Sequence, residues 1–107
     1  MKKIVAYKSY YKDFMASMSR EEQLKIRRVL ALLCTENRIP RHFIKYIGEG
    51  LYELRITLPN REARLFFTYD GDTLLVVFNC IVKKTQKAPQ REIEKANRLK
   101  KEYEKGK

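Results

Sequence analysis

Cations delivered by stiff strands are what gives this chain its chemistry. An apolar run, Val76-Val77-Phe78-Asn79-Cys80-Ile81-Val82, passes directly into Lys83-Lys84-Thr85-Gln86-Lys87-Ala88-Pro89, so a strand brings three lysines into a short loop. Two apolar runs upstream each carry one arginine, Arg55 and Arg64. Arginine stays protonated and offers a planar fork that matches phosphate. Lysine presents a compact ammonium whose pKa falls beside other cations. Cations gathered by rigid strands make a site for phosphate. That placement, more than overall basicity, points to chemistry on nucleic acid or binding of it.

The elements that must position these residues follow from the pattern. Residues 2–7 read as a strand, and 9–18 as a short helix with Tyr10, Phe14 and Met18 on one face. Ser19-Arg20-Glu21-Glu22 is a capping box. The helix it opens carries Ile26, Val29, Leu30 and Leu33 as one buried stripe and frays by Asn37, because Pro40 cannot continue it. The stretch after it, through Lys45, reads as a loop. Strands follow at 51–58 and 63–69 around the turn Pro59-Asn60-Arg61, and Asp70-Gly71 signals a hairpin into a strand over 73–82. A final helix over 89–105 starts at Pro89, with Ile93, Ala96, Asn97, Leu99 and Tyr103 as a thin apolar edge and the rest a solvated face.

Strand alternation assigns the faces. Leu54, Ile56, Leu58, Leu65, Phe67, Leu74, Val76 and Phe78 fall on one face, expected to bury against the two N-terminal helices. Glu53, Arg55, Arg64, Phe66, Leu75, Val77 and Asn79 fall on the other. A turn over 58–61 sets Arg55 directly opposite Arg64. Like charges facing each other across a sheet are destabilising. Such a pair is solvated, or kept for an anion, or screened by Glu53 in a structural salt bridge; Phe66 and Val77 beside it argue against plain solvation.

Composition sets outer bounds. The chain of 107 residues, 44% hydrophobic, suits one domain with one core, 1–107. Its longest apolar run, 74–80, is far too short to span a bilayer. The first residues lack a long apolar segment and a cleavage site, so a cytoplasmic location is expected, with Cys34 and Cys80 as reduced, partly buried thiols. No Cys/His cluster has zinc spacing, and neither a metal nor another cofactor is predicted. The 24 basic against 13 acidic side chains leave a net charge of +11. Partners that fit are a nucleic acid or an acidic protein; a membrane surface fits poorly, since no helix pairs a basic face with a large aromatic one.

Three motifs in order carry a resemblance: Gly50-Leu51-Tyr52-Glu53-Leu54-Arg55-Ile56, then Ala63-Arg64-Leu65-Phe66-Phe67, then Lys83-Lys84-Thr85-Gln86-Lys87-Ala88-Pro89 with Glu92-Ile93 and Ala96. The chain resembles the RelE/HigB toxin superfamily, and within it the phage-derived, HigB-like branch. The resemblance implies an α+β, RelE-like fold: a small twisted antiparallel sheet, an N-terminal helix hairpin on one face, and a C-terminal helix. It also implies the toxin of a type II toxin–antitoxin system, an endoribonuclease that cuts messenger RNA on the ribosome without a metal. The implied partners are the ribosome, its mRNA, and a cognate antitoxin of the helix-turn-helix type.

Cutting RNA by its own 2′-hydroxyl needs a base, a stabiliser of the phosphorane and an acid. Arg64, with Arg55 beside it, suits the stabiliser; Lys84 and Lys87 suit acid/base work. Lys83 and Lys45 would touch RNA backbone, and Thr85 and Gln86 a base or ribose. Several branches of the superfamily use a late histidine or tyrosine. Here the one histidine, His42, lies far upstream and reads as a surface residue, and Tyr103 reads as packing. Two rivals stay open: a ParE-like gyrase poison, which would not need the Arg55/Arg64/Lys84 set, and a non-catalytic basic module. Phe66, Leu75, Val77 and the final helix are the expected antitoxin contacts.

Overall fold

The elements run β1 (Lys3–Ala6), α1 (Tyr10–Ala16), α2 (Arg20–Thr35), β2 (Ile44–Gly48), β3 (Leu51–Thr57), β4 (Glu62–Asp70), β5 (Leu74–Lys83) and α3 (Gln90–Lys105). They are those of a computed structural model, which describes residues 2–35, 43–83 and 89–107. His42, Asn37 and Pro40, as well as the loop lysines discussed below, lie outside the described residues.

The α1–α2 hairpin forms where the capping box requires it. The Ser19 backbone N–H donates to Glu22 Oε1 at 2.9 Å, and the Glu22 N–H donates to Ser19 Oγ at 3.1 Å. The predicted stripe of Ile26, Val29, Leu30 and Leu33 is buried. Together with Phe14, Met15 and Met18 it packs on one sheet face against Leu54, Ile56, Leu58, Ala63, Leu65 and Phe67. Tyr10 does not join this core; it packs with the second one, under the Lys95 ammonium at 4.3 Å.

Glu22 also receives Arg61 of the β3–β4 turn, whose Nε and Nη2 donate at 2.8 and 2.9 Å. That guanidinium, then the Ser19 N–H, hold the Glu22 carboxyl down to about 2, from an ordinary 4.5. Folded Glu22 therefore stays ionised where the unfolded chain is protonated, and unfolding takes up a proton as pH falls from about 5 to about 2. The stability this supplies is complete above that window and lost within it. Urea denaturation of Arg61→Gln is expected to show a flatter fall of stability across those pH values than the native chain, with no change of slope above them.

The five strands are ordered β1-β5-β4-β3-β2; β1 runs parallel to β5, and every other pair is antiparallel. β2 is a strand where the sequence reads as loop: Ile44, Lys45 and Tyr46 pair with Leu54, Glu53 and Tyr52. The turn that follows holds Gly48, Glu49 and Gly50 all at positive φ, which explains glycine at two of the three positions.

One face assignment is corrected. Leu65 pairs with Cys80 but Phe67 pairs with Val77, so two residues of β5, Phe78 and Asn79, face the single Phe66. This bulge flips the phase of everything before it on β5. Leu75 and Val77 therefore bury in the hairpin core, while Val76 and Phe78 turn to the other face, with Leu74 in the same phase. There they meet α3, which lies across the sheet rather than along its edge: Ala96 and Leu99 are buried against Leu51, Phe66, Val76 and Phe78. Its C-terminal end is tied down by Asp70, which accepts from Tyr103 Oη at 2.5 Å and Lys107 Nζ at 2.7 Å. The result is a three-layer α+β fold, helix hairpin, sheet and helix, compatible with a RelE-like fold. Among the described residues no helix is long and apolar enough to cross a membrane.

Candidate functional site

The α3-facing side of the sheet carries the charged residues singled out from the sequence. The β3–β4 register places Arg55 directly opposite Arg64, as the turn predicts. What tolerates the pair is Glu53, two residues before Arg55 on the same strand face. Its Oε1 accepts from Arg64 Nη1 at 2.9 Å and from Arg55 Nε at 3.2 Å. The pair is therefore not simply solvated: Glu53 bridges both arginines, and the exposed side of Arg55 still leaves room for an anion. Glu62, two residues before Arg64, adds a second contact, 2.7 Å from Oε1 to Arg64 Nη2. The sequence reading missed Glu62, although its i−2 spacing from Arg64 on a strand is the signal that finds it.

The two arginines are not equivalent. The Arg64 side chain is 4% exposed, while that of Arg55 is 34% exposed and open to a ligand. Lys83, at the end of β5, sits opposite Glu62 and is buried. Burial first, and Arg64 second, lower its pKa below the usual 10.5. Lys45, opposite Glu53 on β2, extends the same face outward and is exposed. The structure thus gathers Arg55, Arg64, Lys83 and Lys45 on one face. Lys84, Thr85, Gln86 and Lys87 lie outside the described residues.

Four buried side-chain atoms of the described residues lack a hydrogen-bond partner: Glu53 Oε2, Arg64 Nε, Asn79 Oδ1 and Lys83 Nζ. All four residues belong to this face. Unpaired buried polar atoms are costly, so groups gathered this way call for a further partner, a water or a bound group. Asn79, which keeps the face its alternation assigns, donates through Nδ2 to the Glu92 carbonyl at 3.0 Å and carboxylate at 3.1 Å, fixing the first turn of α3 beside the site. Among the described residues no group of His, Cys, Asp and Glu could hold a metal ion.

The apolar part of the expected site is corrected. Phe66 lies on this face but is fully covered by α3, and Leu75 and Val77 lie on the opposite one; all three are 0% exposed and cannot serve as antitoxin contacts. Tyr103 packs on the second core, as its spacing suggests, and its hydroxyl is committed to Asp70.

The arrangement can hold a phosphate group through Arg55 at the surface and the guanidinium of Arg64 behind it, with further positive charge on either side. No curated protein matches the chain. A family model described as phage derived protein Gp49-like (DUF891) matches residues 13–101, a span that includes α2, strands β2 to β5 and most of α3. The chain belongs to this Gp49-like family of phage-derived proteins, which is associated with RelE-like toxins.

Proposed function

We propose that this protein is the toxin of a type II toxin–antitoxin pair and acts as a ribosome-dependent endoribonuclease on messenger RNA. The observation that carries the reading is the cross-strand pair of Arg55 and Arg64, held by Glu53 on a face that also bears Lys45 and Lys83. Arg55 meets the scissile phosphate first, and Arg64 stabilises the charge that grows on the phosphorane, in a buried setting where a fixed cation acts strongly. Lys84 and Lys87, which follow Lys83 in sequence, are candidates for acid/base work, Thr85 and Gln86 contact base or ribose, and Lys45 contacts the backbone. The chemistry uses the RNA's own 2′-hydroxyl and calls for no cofactor. The antitoxin, a helix-turn-helix protein, docks on the outer face of α3.

Brief induction of the native protein and of Arg64→Ala, with messenger RNA 5′ ends mapped across the transcriptome, tests this. Cuts within translated regions and in register with codons, absent in the variant, are the expected result. Growth arrest without cuts would turn the reading to gyrase poisoning. One observation favours the rivals: Arg64 is buried between two carboxylates, as a purely structural residue would be. Absence of both arrest and cuts would leave the basic binding module.

RNA binding should also depend steeply on salt, because each neutralised phosphate releases counterions. With about four cations engaged, affinity is expected to fall ~50-fold between about 50 and 200 mM salt, measurable by fluorescence anisotropy on a short RNA.

A further inference from the structure

Buried lysines are rare and are ordinarily paired with an acid. Lys83 is 5% exposed and its Nζ has no hydrogen-bond partner. Neither of the carboxylates nearest to it in the sheet gives it a hydrogen bond, although Glu53 Oε2 is itself left unpaired. Glu62, its direct register neighbour, turns instead to Arg64 Nη2, and the Glu53 Oε1 atom is shared by Arg64 and Arg55. Lys83 is thus a buried amine that neither neighbouring carboxylate engages directly. Open surface begins close by, since the side chains of Glu62 and Arg55 both reach solvent, and a lysine stem is flexible.

We propose that Lys83, rather than Lys84 or Lys87, is the base that accepts the 2′-hydroxyl proton when RNA is cut on this face, a role that rests on the ribonuclease reading. Its neutral amine takes the proton, the 2′-oxygen attacks phosphorus, and the P–O5′ bond breaks with its electron pair leaving on the 5′-oxygen. That oxygen takes a proton from water, and the hydroxide so formed recovers the proton held on Lys83. The products are a 2′,3′-cyclic phosphate and a 5′-hydroxyl, with no net change in the protein. Burial first, then Arg64, keep the amine's affinity for protons below that of a free lysine against the opposing pull of Glu53 and Glu62, which suits the role. An arginine at this position would keep the charge but could not accept the proton.

The test is single-turnover cleavage of ribosome-bound messenger RNA from about pH 6 to about pH 10 by the native protein, Lys83→Arg and Lys83→Met, with ribosome binding measured in parallel. Lysine side-chain NMR on the free protein follows the Lys83 titration separately. Expected are a native rate that rises with pH, a loss of ~100-fold or more in both variants with binding retained by Lys83→Arg, and a Lys83 titration below that of the other lysines. Cleavage by Lys83→Arg comparable to native would overturn the role of Lys83 while leaving the nuclease. A native protein that binds ribosomes but never cuts would remove both. Should the variants fail to fold, a Lys83 amine titrating with the surface lysines would overturn the role by itself.

Discussion

Arg64→Ala is expected to abolish the proposed messenger RNA cutting and, at the same time, to lower stability by about 3–5 kcal/mol, because it strands the Glu53 carboxylate in the interior without its principal partner. Against a total stability of roughly 5–15 kcal/mol, that second effect alone could silence the protein in cells. Loss of toxicity on this substitution is therefore ambiguous unless the charge cost is removed separately. The double change Arg64→Met with Glu53→Met does so: it withdraws both buried charges and fills the space with apolar atoms, an exchange that is often neutral or stabilising. Glu62 and Arg55, the remaining members of the network, reach solvent and tolerate the loss. The double variant should unfold in denaturant near the native midpoint and yet cut at least ~100-fold more slowly, as expected when a fixed stabiliser of the transition state is lost. A double variant that folds and still arrests growth through cleavage would reduce Arg64 to a structural role.

What the sequence made legible was local. Ser19 and Glu22 define the start of α2. The Pro59-Asn60-Arg61 turn fixes the register that faces Arg55 with Arg64, because a short turn leaves few ways to pair the strands. The bulge at Phe78 and Asn79 was not legible. Around it, the run from Leu74 to Phe78 is apolar at every position, since both faces of β5 are covered. A strand buried on both sides shows no alternation from which a phase could be read. β2 was missed because it is short and follows a basic stretch, although Lys45 between Ile44 and Tyr46 does alternate. The burial of Arg64 was hidden for a different reason. It depends on carboxylates two residues away along each strand, and a residue's charge says nothing of whether an acid two positions off turns toward it. Lys84 and Lys87 rest on resemblance and spacing alone.

Phe66→Ala should cost about 3–5 kcal/mol and act chiefly on α3, a prediction that separates a core residue from a docking residue. Phe66, on β4, is fully buried beneath α3 in the cluster of Leu51, Val76, Phe78, Ala96 and Leu99. The apolar edge of α3 is thin: apart from Ala96 and Leu99 it offers only the half-buried Ile93 and Tyr103. Removing a phenyl ring from beneath so narrow a contact takes away a large share of what holds the helix, whereas the hairpin core on the other face keeps all its members. Amide exchange is therefore expected to accelerate first over Gln90–Lys105, with Arg20–Thr35 still protected, and the denaturation midpoint should fall. A Phe66→Ala protein of native stability that failed only to bind its antitoxin would contradict this and restore Phe66 as a docking residue. The loosening should reach the site as well. The first turn of α3 is fixed by Asn79 through Glu92, next to the face that holds Arg64 and Lys83, so a helix free to lift carries away one wall of that face and should weaken the proposed RNA cutting without any change to its cations.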